Sequence, residues 1–263
     1  MTSDSSQTAA FRGQQARAER FLVIPAFNEE ARISEVLRRV AETELGFEIV
    51  VVDDGSSDRT ALLARQGGAR VIQHPFNMGY GAALQTGYKY AHRSGATLVV
   101  QMDADGQHDP REIPMLTKPI EEGTADLVVG SRFLGGETYR MGFARGVGRK
   151  LLQAVARSFG LSVTDPTSGF QAMNRPVLTL YVRDSFPTDY PDLDVLLAAR
   201  RCGIRIEERR VSMSPSPRPS SLHRGLALTY YVYKMILSIW AGTVGYSDDP
   251  TSYQSVYGKE VHR

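Results

Sequence analysis

The sequence predicts an α/β fold in one domain, with a mostly parallel central sheet and helices on both of its faces. Two observations favour this fold class. Short runs of aliphatic and β-branched residues recur along the chain, and the intervals between them leave room for helices. Continuous apolar runs are typical of strands covered on both faces, as in parallel sheets. The length of 263 residues suits one large α/β domain or two small ones.

The individual elements follow from local patterns. Strands are predicted at 21–24, 49–52, 71–72, 98–102 and 127–129. Between the first two strands, apolar residues recur at the spacing of an amphipathic helix, at Ile33, Val36, Leu37 and Val40. Further helices are predicted from about Arg59, around 82–91, at 141–159 and at 193–201, with a turn at 164–169. Strand and helix therefore alternate, as in a parallel sheet.

Composition excludes several classes of protein. With 42% hydrophobic and 23% charged residues and a net charge of +2, the chain is neither wholly disordered, collagen-like nor a multi-span membrane protein, and nucleic acid is not expected as a partner. The single cysteine, Cys202, excludes an internal disulfide and favours a reducing compartment. The first twenty residues lack an apolar core, so no signal peptide is predicted and a cytoplasmic location is expected.

We predict five regions: a disordered tail at 1–19, a catalytic domain at 20–211, a Ser/Pro linker at 212–221, an amphipathic helix at 222–246 and a mobile tail at 247–263. The apolar stretch 225–245 holds one charge, Lys234, and residues 200–234 together carry a net charge of +6. A lysine near its middle and scattered aromatic residues favour a helix lying on an anionic membrane surface over one spanning it. The alternative is packing on the catalytic domain or on a second subunit of a homo-oligomer.

Polar motifs follow four of the predicted strands, at the sheet edge where ligands bind. Asp103, Asp105 and Gln107 offer the hard oxygen ligands that Mg²⁺ or Mn²⁺ prefers, with a diphosphate completing the shell. The alternative is a polar turn in which Asp109 caps the next helix. Arg132, directly after the fifth strand, is suited to bidentate pairing with phosphate.

Other motifs also carry two interpretations. Asp54 is suited to accept hydrogen bonds from a nucleobase or ribose, or belongs to a turn that caps the helix near Arg59. The glycine-rich stretch 77–81 has neither Walker nor Rossmann spacing, so neither ATP nor NAD is indicated. Four histidines lack metal-ligand spacing and are interpreted as surface or structural residues: His74, His92, His108 and His223.

Six motifs, in this order along the chain, resemble the family 2 glycosyltransferases with a GT-A fold, and among them the dolichyl-phosphate-mannose-synthase-like group. The resemblance extends from Phe21 to about Gly242. The motifs are Pro25-Ala26-Phe27-Asn28-Glu29-Glu30, Val52-Asp53-Asp54-Gly55-Ser56, Asn77-Met78-Gly79-Tyr80-Gly81, Asp103-Ala104-Asp105-Gly106-Gln107-His108, Gly130-Ser131-Arg132-Phe133 and Asp165-Pro166-Thr167-Ser168-Gly169-Phe170.

The resemblance implies a binding site for a nucleoside-diphosphate sugar. Asp103, Asp105 and Gln107 would hold Mg²⁺ or Mn²⁺ against the diphosphate, and Arg132 would face the phosphates or the acceptor. Arg218 would be the one cation of the linker that contacts substrate. The remaining substrate-binding residues implied are Pro25, Phe27, Glu29, Val52, Asp53, Asp54 and Ala104.

The implied reaction is an in-line displacement that inverts the anomeric carbon, with a polyprenyl phosphate as acceptor at the cytoplasmic membrane face, in cell-envelope glycan synthesis. A soluble or glycan acceptor and a non-catalytic sugar-nucleotide-binding protein are the alternatives. A lipid phosphate is already anionic, whereas a hydroxyl acceptor needs a base. Asp165 is the first candidate base and Asp192 the second, and for each the alternative is a turn or helix cap.

Overall fold

The computed structural model describes residues 19–135 and 143–214, which form a seven-stranded sheet flanked by seven α-helices. The strands are β1 Arg20–Ala26, β2 Glu48–Asp53, β3 Arg70–Gln73, β4 Leu98–Gln101, β5 Leu127–Ser131, β6 Gln171–Asn174 and β7 Ile206–Arg210. The helices are α1 Ile33–Ala41, α2 Thr60–Gln66, α3 Tyr80–Arg93, α4 Ile113–Glu121, α5 Phe143–Ser158, α6 Arg175–Tyr181 and α7 Leu193–Arg201.

The strand order is β3-β2-β1-β4-β6-β5-β7. Strand β6 is antiparallel to both of its neighbours, β4 and β5, while the other pairings are parallel. Six of these strands therefore point the same way, and their carboxyl ends meet at one edge of the sheet. Because β6 runs in the opposite direction, the loop that precedes it arrives at this same edge.

Apolar residues of the central strands alternate between two core layers. Phe21 and Val23 of β1 face the layer that contains α3, α6 and α7, whereas Leu22 and Ile24 face the layer that contains α1, α2 and α4. All four side chains are fully buried. Helices cover both faces of the sheet, as the continuous apolar runs predict.

The five predicted strands are present, and the helix predicted at 193–201 coincides with α7. Strands β6 and β7 and helix α6 were not predicted, and a helix in the region of α4 was predicted only in the interpretation in which Asp109 is a cap; the Asp109 side chain does accept a hydrogen bond from the Arg111 amide there. Strand β6 has only four residues, and β7 has the sequence Ile-Glu-Glu-Arg-Arg, which has no apolar run. An edge strand tolerates such charges because one side of it faces solvent, and β7 forms by pairing with β5.

Most of the regions predicted outside the catalytic domain lie outside the described residues: 1–18, 215–221 of the linker, the helix at 222–246 and the tail at 247–263. The first linker residues, 212–214, lie against the domain. The Ser212 amide donates to the Glu112 carboxylate at 2.9 Å, and the Ser214 amide donates to the Gln107 carbonyl at 3.0 Å. Within the described ranges, no helix has both the length and the apolar character needed to cross a bilayer.

Candidate active site

A pocket of about 580 Å³ opens at the carboxyl edge of the sheet, beside the ends of β1 and β2. This volume lies in the range of small-molecule binding sites. Its lining combines apolar and polar groups, from Pro25, Ala26, Phe27, Asp54, Asn77, Gly79, Tyr80, Ala83, Asp189 and Tyr190. Pro25, Phe27 and Asp54 are thus predicted substrate-binding residues that the structure brings together in one pocket.

One wall of this pocket is the loop 187–190, which lies against the first turn of α3. The Gly81 and Ala82 amides donate to the carbonyls of Asp189 and Thr188, each at 2.9 Å. A Cβ atom on Gly81 would lie 2.2 Å from the Pro187 carbonyl oxygen, so only glycine permits this close approach. The loop satisfies the free N–H groups of the helix and places Asp189 and Tyr190 in the pocket lining.

Asp54 organises the glycine-rich turn 77–79, which directly precedes α3. Its Oδ1 accepts a hydrogen bond from the Met78 amide at 2.8 Å, and its Oδ2 accepts one from the Gly79 amide at 2.9 Å. The ring of His74 also contacts Asp54, with Nδ1 2.7 Å from Oδ1, and its Nε2 lies 2.9 Å from the Thr86 hydroxyl on α3. His74 is therefore a buried structural residue, and it fixes a carboxylate of the pocket.

The other residues predicted to bind the nucleotide do not line the pocket. Val52 and Ala104 are buried in the two core layers, so their side chains do not reach this pocket. Asp53 is also buried, and its Oδ2 accepts a hydrogen bond from the Gln73 amide group at 3.2 Å. Glu29 forms an ion pair with Arg32 at 2.9 Å. Phe27, by contrast, is 44% exposed at the pocket mouth.

Asp103 is held by a chain of hydrogen bonds that leads into the core. The Tyr80 hydroxyl donates to Oδ1 at 2.7 Å, the Gln101 amide group donates to the Tyr80 oxygen at 3.0 Å, and the Tyr88 hydroxyl donates to Gln101. On the other side, His108 Nε2 lies 3.2 Å from Oδ2. Burial favours the neutral form of Asp103, yet the hydrogen bonds from His108 and Tyr80 hold its pKa below the usual range.

Asp105 has fewer partners. Its Oδ1 accepts a hydrogen bond from the Gln107 amide at 2.9 Å, and within the described ranges its Oδ2 accepts none. Burial and then the charge of Asp103 raise the pKa of Asp105. Gln107 donates its side-chain N–H to the Ser214 carbonyl at 2.9 Å, which leaves its side-chain oxygen as an acceptor.

The side-chain oxygens of Asp103, Asp105 and Gln107 suit a divalent cation. Two close carboxylates and an amide oxygen form the hard oxygen set that Mg²⁺ or Mn²⁺ prefers, and a cation would relieve the repulsion between Asp103 and Asp105. Among residues 19–135 and 143–214, no group of three or more His, Cys, Asp or Glu side chains is arranged to hold a metal ion. A cation at this position would therefore need ligands from a bound substrate as well.

Arg132 and Asp165 form a bidentate pair. Arg132 Nε lies 2.6 Å from Asp165 Oδ2, and Arg132 Nη2 lies 2.7 Å from Oδ1. The Asp165 side chain has 0% exposure and that of Arg132 has 19%. Because Asp165 is enclosed and both of its oxygens contact Arg132, its geometry suits holding the arginine rather than removing a proton from an acceptor.

The remaining predicted residues lie elsewhere. Asp192 precedes α7 and is half-buried, and its side chain makes no capping hydrogen bond to that helix. Arg218 lies outside the described residues. Sequence reasoning missed the roles of Tyr80, Asp189 and Tyr190. Tyr80 lies within one of the six motifs, but only its hydrogen bond to Asp103 reveals what it contacts.

Comparison with known proteins gives a family match over residues 21–180, to the family described as "Glycosyl transferase family 2". Polyprenol monophosphomannose synthase from Mycolicibacterium smegmatis is 34% identical over 168 residues, which cover 60% of this chain and 62% of the relative. Undecaprenyl-phosphate 4-deoxy-4-formamido-L-arabinose transferase from Pseudomonas aeruginosa is 38% identical over 197 residues, 70% of this chain and 56% of the relative. The chain thus matches less than two thirds of the length of each of these two relatives.

A similar solved structure is glucosyl-3-phosphoglycerate synthase from Mycobacterium tuberculosis in complex with Mn²⁺, uridine diphosphate and glucosyl-3-phosphoglycerate. It is 27% identical, with a TM-score of 0.66 over 88% of this chain and 82% of the other.

Proposed function

Because the chain belongs to glycosyl transferase family 2 and is a glycosyltransferase of GT-A fold, we propose that it transfers a sugar from a nucleoside diphosphate to a polyprenyl phosphate. The observation that carries this proposal is the meeting of three features at one sheet edge. They are a pocket of small-molecule size, an acidic pair in which one carboxylate oxygen accepts no hydrogen bond within the described ranges, and a partly exposed arginine held by a buried aspartate.

The nucleoside would occupy the pocket beside Pro25, Phe27 and Asp54. Phe27 is 44% exposed and offers an aromatic ring for a base. Asp54 Oδ2 accepts one hydrogen bond, from the Gly79 amide, and retains one acceptor position for a ribose or base donor. Asp189 and Tyr190 would contribute further lining to this site. Glu29, Val52, Asp53 and Ala104 would support this arrangement from behind the pocket surface.

Asp105 and Gln107, together with Asp103, would hold Mg²⁺ or Mn²⁺. When bound, this cation supplies Lewis-acid stabilisation of the departing nucleoside diphosphate. Tyr80 and His108 keep Asp103 ionised and oriented, because both contact its carboxylate. Asp105, which has an oxygen without a hydrogen-bond partner in the described part of the chain, would make the more direct contact.

Arg132 would bind phosphate oxygens of the donor or the acceptor, with Asp165 holding its guanidinium in one orientation. A polyprenyl phosphate brings its own anionic nucleophile, so the displacement needs alignment rather than proton removal. The anomeric carbon would be inverted in this single step. Asp192 is the residue we propose as base for a hydroxyl acceptor, and Arg218 as a further contact to an acceptor phosphate.

A second candidate is the same chemistry on a soluble phosphorylated acceptor. It is supported by the similarity to a synthase that was crystallised with glucosyl-3-phosphoglycerate. Both acceptor types carry a phosphate that suits Arg132. The two candidates differ in whether the acceptor has a lipid chain, and in whether the nucleophile is a phosphate oxygen or a hydroxyl that needs a base.

Thermal unfolding with UDP, GDP and dTDP, each with and without Mn²⁺, tests the donor site. A nucleotide at about 100 times its dissociation constant stabilises the fold by about 2.7 kcal/mol, so the cognate base should stand out. Transfer is then measured with undecaprenyl phosphate and with 3-phosphoglycerate, and NMR gives the anomeric configuration of the product. Transfer to the lipid with inversion supports the proposal. Transfer to phosphoglycerate alone supports the second candidate, and absence of binding to all three nucleotides rejects both.

A further inference from the structure

Glu208 lies in the middle of the edge strand β7, and its side chain anchors the start of the loop 164–169. The Thr164 amide donates to both carboxylate oxygens at 2.8 Å, and the Asp165 amide donates to Oε1 at 2.9 Å. The Thr164 hydroxyl lies 3.2 Å from Oε1. One carboxylate thus binds two consecutive backbone N–H groups.

Neighbouring elements hold the same point of the loop. The Gln153 amide group of α5 donates to the Thr164 carbonyl at 2.6 Å, and the Ser131 hydroxyl lies 2.6 Å from the Thr164 hydroxyl. Burial raises the pKa of Glu208, because the backbone N–H groups replace only part of its hydration. The fold therefore places a partly buried carboxyl at this position, with its N–H partners on the loop 164–169.

The loop 164–169 connects Glu208 to residues of the candidate active site. Asp165, whose amide binds Glu208, pairs through its side chain with Arg132. At the far end of the loop, a Cβ atom on Gly169 would lie 2.6 Å from Asp103 Oδ2, so the backbone there abuts the acidic pair. The loop joins Arg132 to Asp103, and Glu208 fixes the end that bears Asp165.

We propose that Glu208 is a positioning residue for sugar transfer, which holds Asp165 and through it the guanidinium of Arg132. The inference rests on the proposed function, in which Arg132 binds phosphate oxygens of the donor or the acceptor. Glu208 itself contacts neither the pocket nor the acidic pair. Its effect on turnover therefore depends on Arg132.

A double-mutant cycle tests this dependence. Glu208→Ala should change the same kinetic parameter as Arg132→Ala, kcat or KM, and should reduce kcat/KM by about tenfold or more. The variant Glu208→Gln keeps one acceptor oxygen and should lose less. In the Arg132→Ala background, Glu208→Ala should have no further effect on kcat/KM. Independent, multiplying effects of the two substitutions would overturn the proposal.

Asp126→Asn is the matched control. Asp126 pairs with Arg205, directly before β7, at 2.9 Å, so it fastens the same strand at the end far from the site. Its substitution should lower the melting temperature and leave kcat/KM unchanged. If Asp126→Asn reproduces the kinetics of Glu208→Ala, the effect is loss of β7 and the proposal fails.

Hydrogen exchange gives a readout that does not depend on turnover. Glu208→Ala should speed amide exchange in 164–169 and in 130–135, while Asp126→Asn leaves both segments protected. Unchanged exchange at 130–135 in Glu208→Ala would show that Arg132 is not held through Glu208. If the wild type transfers no sugar but the exchange result is as expected, the proposed function fails and the structural link to Arg132 stands.

Discussion

At the residue scale, the two aspartates that follow β4 have different surroundings. Asp103 receives hydrogen bonds on both oxygens, whereas Asp105 has one oxygen without such a partner in the described ranges. We therefore propose unequal roles, in which Asp105 would contact a cation through its oxygen without a hydrogen-bond partner and Asp103 is more firmly held.

The substitution Asp105→Asn preserves the size of the side chain and removes its charge. We expect the Mn²⁺-dependent part of nucleotide stabilisation to disappear and turnover to fall by at least about a hundredfold, since a catalytic metal contributes several kcal/mol. Thermal unfolding and transfer assays measure the two effects. Asp103→Asn should affect metal binding less. Asp109→Asn, in the same segment but paired with Arg111, is the control, and equal loss in it would contradict the assignment.

Arg132→Lys tests whether the planar guanidinium matters or only its charge. Lysine cannot make two parallel hydrogen bonds to Asp165 while it binds a phosphate, so we expect kcat/KM to fall by about tenfold or more. Steady-state kinetics at fixed ionic strength measure this. The control is Arg205→Lys, because Arg205 makes a comparable pair with Asp126 at the opposite end of β5. Wild-type kinetics in Arg132→Lys would show that only the positive charge of Arg132 matters for transfer, not its planar guanidinium.

At the element scale, the pocket depends on how closely the loop 187–190 approaches α3. The two elements share backbone hydrogen bonds, and glycines at positions 79 and 81 leave no side chain between them. The first turn of α3 is thus both a helix end and a wall of the pocket.

Gly81→Ala should separate these elements. The added Cβ would meet backbone atoms of Pro187 and Thr188, which cannot rotate away, so we expect a loss of about 1–3 kcal/mol in stability and about tenfold weaker nucleotide binding. Calorimetric titration and thermal unfolding measure both. Gly87→Ala, on the same helix, would crowd Val23 in the core and should lower stability alone. Equal affinity in Gly81→Ala and wild type would exclude this wall from the nucleotide site.

At the scale of the whole molecule, positive charge is concentrated towards the C-terminal end of the chain. Residues 200–234 carry a net charge of +6, although the whole chain carries only +2. The predicted amphipathic helix at 222–246 overlaps the end of this stretch. The linker that precedes it begins with residues 212–214, which lie beside Gln107. A membrane-bound helix here would bring a lipid phosphate close to the sheet edge that bears the site.

We therefore expect the full chain to sediment with anionic liposomes, and salt to weaken this association because screening reduces attraction to headgroups. A chain ending at Ser221 should still bind nucleotide but no longer sediment. Neutral liposomes are the control for purely hydrophobic binding. Equal partitioning of the two chains would favour packing of the helix on protein, which analytical ultracentrifugation would reveal as a change in oligomeric state.

The sequence by itself determined five of the six strands that run in the same direction, and the sheet edge at which the candidate site lies. Each predicted strand is a local apolar run, and ligands of parallel sheets bind at the carboxyl ends of strands, so positions 25–30, 53–58, 103–108 and 132 were predictable from short windows.

Only the tertiary structure decided which polar residues meet. Asp165 reaches Arg132 across 33 positions of sequence, and Glu208 reaches Thr164 across 44. Both contacts depend on β6 running antiparallel between β4 and β5 and on the charged strand β7 pairing with β5. Local patterns encode whether a segment is extended and which face is apolar. The order and direction of strands depend instead on long-range pairing and packing, whose free energy no single segment carries.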